Sequence, residues 1–418
     1  MQCIQSLRVL AYLTTHVTSR RTFGTPDLPA RCSPTTQTLR LCCAFKDSTL
    51  KTHLDLPRRK PVGIPAEGAA KSEGVCRVPT GIGKSLLERP RHSVKVRTFD
   101  NIPPGSSRGV IEITSKEKIV EKIQRLKKER NAIILAHNYQ VPEVQDVGDY
   151  LGDSLNLSKI AAGTNADVIV FCGVDFMAES AKILSPGKVV IHPVRGASCP
   201  MAAMIDVESL RELQRANPEA ATVAYVNTTA EVKAEVDICC TSSNAVRVVK
   251  SLPNKEIIFV PDVNLGLYVQ RFVPEKRFIF WRGYCHVHQN IDVEDIRELK
   301  EKHPAAEIMV HPECQPAVID MADHVYSTQG MMQHARDSSA RKFILGTERE
   351  MSYRLGKENP DKFFLPVENA ICTAMKKIKL EDVLNSLETL EPRIELSQDI
   401  IERARLPLEK MVDIGRGD

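Results

Sequence analysis

Three cysteines that lie far apart in this chain of 418 residues are followed by the same residue types at the same distances. Cys199, Cys285 and Cys372 each precede an isoleucine by six positions and a glutamate by nine. Residues 205–220 and 291–306 share nine of sixteen positions, and the third copy keeps the helical spacing of apolar residues. The chain therefore repeats about every 86 residues, which predicts three similar units around a pseudo-threefold axis.

Each predicted unit contains short apolar runs, for example residues 132–136, 168–172 and 189–191, that alternate with segments of helical periodicity. This alternation is typical of parallel sheets with crossover helices, so the predicted fold class is α/β. The predicted divisions of the chain are an extension over residues 1–110, units over 113–204, 205–290 and 291–380, and a helical tail over 381–418.

The extension differs from the rest of the chain in charge. Residues 1–110 carry 18 Lys or Arg and 7 Asp or Glu, with little periodicity, so we expect them to be mostly disordered. Residues 1–46 are rich in Ser, Thr and Arg, and Asp27 is their only acid, which fits an organellar transit peptide. An upstream stretch translated in error has a similar composition. The predicted location is the cytoplasm, or an organelle if the extension is a transit peptide.

The remaining residues exclude two classes of partner. Residues 111–418 carry 39 Lys or Arg and 46 Asp or Glu, so they offer no basic surface for nucleic acid. No apolar run approaches the ~18 residues that a membrane span requires. The twelve cysteines form no dense disulfide pattern, which indicates a reducing compartment with metal-binding or buried thiols.

Polar residues follow the first predicted strand of each unit, where open α/β sheets bind ligands. They are His137-Asn-Tyr139, Tyr225-Val226-Asn227 and His311-Pro312-Glu313. Helix starts follow what we take as the second strands, at Cys172-Gly, at Cys239-Cys-Thr-Ser242 and at Tyr326-Ser-Thr328. Such starts can hold phosphate or carboxylate, although simple N-capping is the alternative interpretation. His311 and Glu313 together can serve as hydrogen-bond donor and general base if enclosed, and a surface loop is the alternative.

The three repeated cysteines have none of the short zinc or ferredoxin spacings. If the units close around an axis, however, three thiolates meet there and can hold one face of an iron-sulfur cluster, leaving one iron open to act as a Lewis acid. Three buried structural cysteines are one alternative, and a zinc site that combines Cys285 with His286, His288 and His311 is another. Four further cysteines lack threefold equivalents and are predicted core thiols: Cys172, Cys239, Cys240 and Cys314.

The ordered motifs resemble those of the quinolinate synthase family over residues 113–390. They are Ala136-His-Asn-Tyr139-Gln, Gly152-Asp-Ser154-Leu, Phe171-Cys-Gly-Val-Asp-Phe-Met-Ala-Glu179, Tyr225-Val-Asn227-Thr, Cys240-Thr-Ser242-Ser-Asn244-Ala, Trp281-Arg-Gly-Tyr-Cys285-His-Val-His288, His311-Pro-Glu-Cys314 and Gly346-Thr-Glu348. The resemblance implies three α/β sandwich units around a central 4Fe-4S cluster that Cys199, Cys285 and Cys372 hold.

The resemblance also implies a transferase that condenses iminoaspartate with dihydroxyacetone phosphate to give quinolinate, phosphate and water in NAD biosynthesis. An aspartate oxidase or dehydrogenase would supply the imine, by transient contact. Tyr139, Glu313 and His311 are the implied catalytic residues. The implied substrate-binding residues are His137, Ser154, Tyr225, Val226, Asn227, Ser242, His311, Pro312, Glu313 and Thr328. Tyr326 stands where the family usually has glycine, so an impaired iron-sulfur sensor or scaffold of the same fold is the alternative.

Overall fold

Three parallel sheets of four strands each form the framework of residues 115–418, which are the residues that the computed structural model describes. The predicted ranges 113–204, 205–290 and 291–380 hold one sheet each, and the α/β class predicted from the repeat is confirmed. The extension over residues 1–110, with its predicted disorder and transit peptide, lies outside the described residues.

The first unit contains a short strand that the sequence analysis missed. Its elements are α1 Ser115–Glu129, β1 Ala132–His137, α2 Pro142–Val147, β2 Tyr150–Gly152, α3 Ser154–Gly163, β3 Val168–Cys172, α4 Asp175–Leu184 and β4 Val189–Ile191. The three residues of β2 include one aliphatic side chain, Leu151, and aspartates flank them, so they form no apolar run like the Val-Val-Ile of β4. The turn after Cys172 therefore follows the third strand of this unit, and the prediction that it follows the second was wrong.

The second unit repeats the pattern from α5 to β8. Its elements are α5 Val207–Ala216, β5 Ala221–Tyr225, α6 Ala230–Lys233, β6 Ile238–Cys240, α7 Ala245–Ser251, β7 Glu256–Val260, α8 Val263–Gln270 and β8 Arg277–Phe280. Asp206 caps α5 by accepting from the backbone N–H of Ser209. The third unit opens at the equivalent place with a capping box, in which Asp292 and Asp295 exchange bonds at the start of its long first helix.

The third unit and the tail complete the described chain. The second unit ends with α9 His286–Gln289. The elements of the third unit and the tail are α10 Val293–Lys302, β9 Glu307–Val310, α11 Pro316–Ile319, β10 His324–Val325, α12 Thr328–Asp337, β11 Lys342–Gly346, α13 Met351–Glu358, β12 Phe363–Pro366, α14 Leu380–Thr389 and α15 Gln398–Ile414. In the predicted tail, α14 packs on α1, while α15 packs on β6, α4 and α6. None of the helices in residues 115–418 combines the length and the apolar character that crossing a bilayer would require.

All three sheets have the same strand order, in which the first strand lies between the second and the third, and the fourth lies at the edge. The central strands are buried on both faces, as parallel strands covered by helices are. A carboxylate fifteen residues further along the chain accepts a backbone N–H near the start of each first strand. The pairs are Ile134 with Asp149, Thr222 with Asp237, and Ile308 with Asp323.

Candidate functional site

The carboxyl ends of the strands in all three units border one cavity, with about 650 Å³ of space free of protein atoms. Of the fourteen site residues predicted from sequence, twelve lie on the wall of this cavity and two lie off it. The wall includes His137, Tyr139, Ser154, Tyr225, Asn227, Ser242, His311, Glu313, Thr328 and the three repeated cysteines. Val226 packs in the hydrophobic core, and Pro312 borders a neighbouring cavity, so the structure brings neither to this wall.

The end of the first strand of each unit and the turn after it contribute two side chains to the wall, two residues apart. They are His137 and Tyr139, Tyr225 and Asn227, and His311 and Glu313. The residue between each pair, which is Asn138, Val226 or Pro312, does not line the cavity. In the first and third units the backbone turns here, and the N–H groups of Gln140 and Cys314 donate to the carbonyls of His137 and His311. The three pairs occupy matching positions but carry different chemistry, so a symmetric scaffold presents an asymmetric wall.

A hydroxyl that follows the second strand of each unit by two or three residues also lines the cavity, from Ser154, Ser242 and Thr328. Asp153 caps α3, and Ser327 caps α12 by accepting from the N–H of Gly330. The Thr328 hydroxyl also accepts from the Asn138 side chain at 2.9 Å. These loops are the helix starts at which we expected anion binding, with Asp153 and Ser154 in the place that we had assigned to the turn after Cys172.

Cys199, Cys285 and Cys372 reach the same cavity from loops that follow the fourth strand of each unit. Each is followed directly or within three residues by a short helical turn, at Ala202–Met204, at α9 and at Met375–Lys377. Burial raises the pKa of Cys199 to about 12, and it raises the pKa of Cys285 and Cys372 as well. Without a cation, the three thiols are therefore protonated at neutral pH.

The backbone N–H of each repeated cysteine donates to a carboxylate that lies 23 or 24 residues earlier in the chain. The pairs are Cys199 with Asp175 (3.3 Å), Cys285 with Asp262 (3.0 Å) and Cys372 with Glu348 (3.2 Å). Each acid lies two or three residues past the end of a third strand. This recurring spacing is visible in the sequence, and the sequence analysis missed it. The carboxylates fix the cysteine loops to the strands of their own sheets.

The cavity's donor set fits an iron-sulfur cluster. Three thiols are the soft ligands that such clusters prefer, and they come from three matching loops on one cavity. The other four cysteines of the described residues are fully buried in the core and do not line the cavity, as predicted. Three sulfur ligands leave one position of a four-iron cluster for a non-protein ligand.

A chain of hydrogen bonds runs behind the wall from Tyr139 to Glu313. The Tyr139 and Thr347 hydroxyls are 2.7 Å apart, and Thr347 Oγ1 is 3.0 Å from His288 Nε2. His288 Nδ1 lies 2.7 Å from Glu313 Oε2. If Nδ1 carries the hydrogen, every group is satisfied: Tyr139 donates to Thr347, Thr347 donates to His288, and His288 donates to Glu313.

Glu313 also contacts His311, whose Nδ1 lies 3.2 Å from Oε2 and whose Nε2 lies 3.1 Å from the Ser242 hydroxyl. Burial raises the pKa of Glu313, but the two imidazoles outweigh that effect and hold the pKa below its usual range. The carboxylate is therefore ionised at neutral pH. Burial lowers the pKa of His311, against the opposing effect of Glu313, which favours a neutral imidazole.

Tyr139, Tyr225 and His137 are neutral at physiological pH. Burial raises the pKa of Tyr139 and Tyr225 well above 10, and the nearby Glu313 carboxylate adds to the effect. Burial lowers the pKa of His137 to about 4. The two phenols are consequently hydrogen-bond donors, and His137 is an uncharged imidazole.

Two buried oxygen atoms on the wall have no hydrogen-bond partner in the described part of the chain. They are Glu313 Oε1 and Asn227 Oδ1. Buried acceptors are rarely left without a donor, because the loss costs about 1–3 kcal/mol. The two residues occupy matching positions after their first strands. A ligand in this cavity could donate hydrogen bonds from O–H or N–H groups to both oxygen atoms.

Within residues 115–418, no lysine or arginine lines the cavity, and Lys376 and Arg416 lie just outside it. Lys376 Nζ is 2.6 Å from Glu348 Oε1 and donates to the Tyr139 carbonyl. Arg416, past the end of α15, contacts Asp153 and the Ser327 hydroxyl, both at 2.8 Å. Anions in the cavity would therefore meet hydroxyls and backbone N–H groups first.

His288 is the main wall residue to which the sequence analysis gave no substrate role, although it considered His288 as a zinc ligand. Cys285, His288 and Glu313 bring ligand atoms within 4.8 Å of one another, which a single metal ion could use. His286 does not line the cavity, so the structure does not bring together the alternative zinc site of three histidines with Cys285.

Tyr326 also lies off the cavity wall, and its ring stacks on the His324 ring. The Tyr326 side chain therefore does not crowd Thr328.

Comparison with known proteins agrees with this geometry. A sequence profile described as "NadA: Quinolinate synthetase A protein" matches residues 121–413. Quinolinate synthase 2 of Methanosarcina acetivorans is 51% identical over 297 residues, which cover 71% of this chain and 96% of that protein. The quinolinate synthase of Geobacter metallireducens is 51% identical over 301 residues, 72% of this chain and 99% of that protein. The Pelobacter propionicus quinolinate synthase is 53% identical over 299 residues, with coverages of 71% and 98%.

Proposed function

We propose that this chain, which belongs to the quinolinate synthetase A family, is the enzyme that makes quinolinate for NAD biosynthesis. Its substrates in this proposal are iminoaspartate and dihydroxyacetone phosphate, and its products are quinolinate, phosphate and water. The observation that carries the proposal is the single cavity in which three repeated thiols face the six strand-end side chains. A transferase of this kind needs a metal site and a polar pocket in contact with each other, which this cavity provides.

Cys199, Cys285 and Cys372 would hold a 4Fe-4S cluster. When bound, the cluster supplies a Lewis acid at its open iron, which polarises a hydroxyl that is to leave. The protein keeps the three sulfurs in place through backbone hydrogen bonds. The N–H groups of Cys199, Cys285 and Cys372 donate to Asp175, Asp262 and Glu348, respectively.

Glu313 and Tyr139 are the residues that we propose for proton transfer. Glu313 Oε1 is ionised, without a partner in the described part of the chain and on the wall, so it can accept a proton from a carbon next to a carbonyl or imine. Tyr139 is a neutral phenol and can donate. The bonds through Thr347 and His288 join the two groups and hold the Tyr139 hydroxyl and the Glu313 carboxylate in position.

Both substrates are anions, and the wall offers neutral donors in place of lysine or arginine. We propose that Ser154, Ser242 and Thr328 hold phosphate and carboxylate oxygens, with the N-termini of α3 and α12 behind them. His137, Tyr225 and Asn227 would orient the imine and the hydroxyls of the triose. His311 would keep Glu313 and Ser242 in position through its two ring nitrogens.

Anaerobic purification, metal analysis and a condensation assay test this proposal together. We expect four irons per chain, the broad visible absorption of an iron-sulfur cluster and quinolinate formation from iminoaspartate and dihydroxyacetone phosphate. If the protein contains iron but forms no quinolinate, the proposed activity is wrong and the proposed cluster stands. One zinc in place of iron would instead favour the Cys285, His288 and Glu313 group as a mononuclear site.

Iminoaspartate is unstable in water, so we propose transient contact with an aspartate oxidase or dehydrogenase that supplies it. We propose the cytoplasm as the place of this reaction, and an organelle if residues 1–46 act as a transit peptide. Fluorescent fusions with and without residues 1–110 test the location. A change of compartment on removal would support the transit peptide.

A further inference from the structure

A second cluster of metal-ligand side chains lies in the third unit, away from the cavity wall. Glu307 begins β9, His324 begins the edge strand β10, and His334 lies in α12. The ligand atoms of these three residues, here called the edge triad, all lie within 4.8 Å of one another. Residues from two strands and a helix converge here, so the positions of the three side chains are set by regular elements.

Both imidazoles face the same carboxylate oxygen. His334 Nε2 lies 2.8 Å from Glu307 Oε2, and His324 Nε2 lies 3.6 Å from it. The contact of His334 with Glu307 is a hydrogen bond, while His324 lies too far from Glu307 for one. A hydrogen bond thus orients His334, whereas His324 faces the same oxygen without a hydrogen bond to it.

The rings around the edge triad limit the rotation of its imidazoles. The centroids of His324 and His334 are 4.0 Å apart, and the Tyr326 ring stacks on His324 with an interplanar angle of 10°. Ser338 Oγ lies 3.3 Å from the Glu307 oxygen that faces both histidines. This hydroxyl is the kind of outer partner that orients a metal-ligating carboxylate.

We propose that the edge triad binds one Zn²⁺ ion, with two Nε2 atoms and one carboxylate oxygen as protein ligands and water in the fourth position. Imidazole and carboxylate suit Zn²⁺, and tetrahedral ligand atoms at zinc bond lengths lie about 3.3 Å apart. The two nitrogen–oxygen distances of the edge triad, 2.8 and 3.6 Å, lie on either side of that value. The side chains are between 18% and 32% exposed, so the ion can enter from solvent.

An ion at the edge triad would join α12 to β9 and β10. Thr328, at the start of α12, lines the cavity and lies six residues before His334, or about 9 Å along the helix. The proposed site therefore belongs to the same helix as a wall hydroxyl. Its existence depends on neither the cluster nor the activity.

Zinc titration of the full chain, purified anaerobically with its iron, tests the proposal. Calorimetry with Zn²⁺ alone should give one site that His324→Gln and His334→Gln both remove, with the iron content unchanged. His303→Gln is the matched control, because His303 is a partly buried histidine of the same unit and is outside the triad. The control should bind zinc as the parent does.

A Glu307→Gln variant keeps a hydrogen-bond acceptor for His334 and removes the anionic ligand. We expect it to lose the zinc site too, and it decides the matter if a histidine variant fails to fold. Equal zinc stoichiometry and affinity in the parent and in all three triad variants would overturn the proposal. Loss of iron on zinc addition in parallel with binding would also overturn it, because the ion would then occupy the cysteines.

Discussion

The cysteine loops and the first-strand ends border the same cavity. The three units carry the same functional residues in their cysteine loops and different residues at their strand ends. In the loops, each unit repeats a cysteine whose N–H donates to an acid 23 or 24 residues earlier. At the strand ends, the matching pairs are His and Tyr, Tyr and Asn, and His and Glu. Repeated chemistry suits a symmetric inorganic group, while divergent chemistry suits two unlike organic substrates. The comparison predicts different consequences for mutation in the two regions.

The largest effect should come from the cysteine loops. Cys285→Ser should lose most of its iron and lower activity by about a thousandfold or more, because an open metal position contributes several kcal/mol to the transition state. Cys314→Ser is the matched control, since Cys314 is fully buried and its thiol donates to the Gly346 carbonyl, a bond that serine can keep. Equal iron in the two variants, measured after anaerobic purification, would contradict the assignment of the ligands.

Substitution at the strand ends should lower activity without removing iron. Glu313→Gln should reduce kcat by about 10²–10⁴, the range for a general base, because the amide cannot take the proton.

Asn227→Ala, at the matching position of the second unit, should mainly raise KM, by about tenfold for one lost hydrogen bond. Steady-state kinetics on iron-replete protein separate the two. An unchanged kcat in Glu313→Gln would assign the base elsewhere.

The difference between the two regions also explains what the sequence revealed. The cysteine repeat is recognisable in the sequence because the residues after each cysteine are similar in the three copies. The polar strand ends are recognisable because they directly follow apolar runs. Val226 and Pro312, which are predicted to bind substrate, do not line the cavity, because each lies between two residues whose side chains face it. His288 and Thr347 act through contacts between units, and no local pattern encodes the distance from Thr347 to Tyr139.

The acids that bind the cysteine loops should not contribute equally, although their spacing repeats. Asp262 is fully buried and accepts from the N–H groups of Leu265 and Cys285, whereas Asp175 is partly exposed and holds Cys199 at a longer distance. Asp262→Asn should lower the free energy of unfolding by about 1–3 kcal/mol, because an amide N–H₂ must face a buried donor. Asp175→Asn should cost less.

Anaerobic denaturant unfolding with iron analysis at each step measures both acid variants. We expect Asp262→Asn to release iron at lower denaturant concentration than Asp175→Asn does. The same shift for the two variants would mean that the repeated bond, and not the burial around it, sets the contribution of each loop.

The smallest effect should come from Arg416, which lies outside both regions. Its guanidinium contacts Asp153 and Ser327 beside two wall hydroxyls, and its side chain is 29% exposed. Arg416→Gln should raise the KM for dihydroxyacetone phosphate about fivefold and leave kcat unchanged, because a partly solvated cation contributes about 1 kcal/mol. Arg403→Gln on α15, where Arg403 pairs with Glu235, is the matched control and should not change KM. The KM effect should shrink with added salt, since it is electrostatic. A kcat effect in Arg416→Gln would place this residue among the groups that act on the reacting atoms.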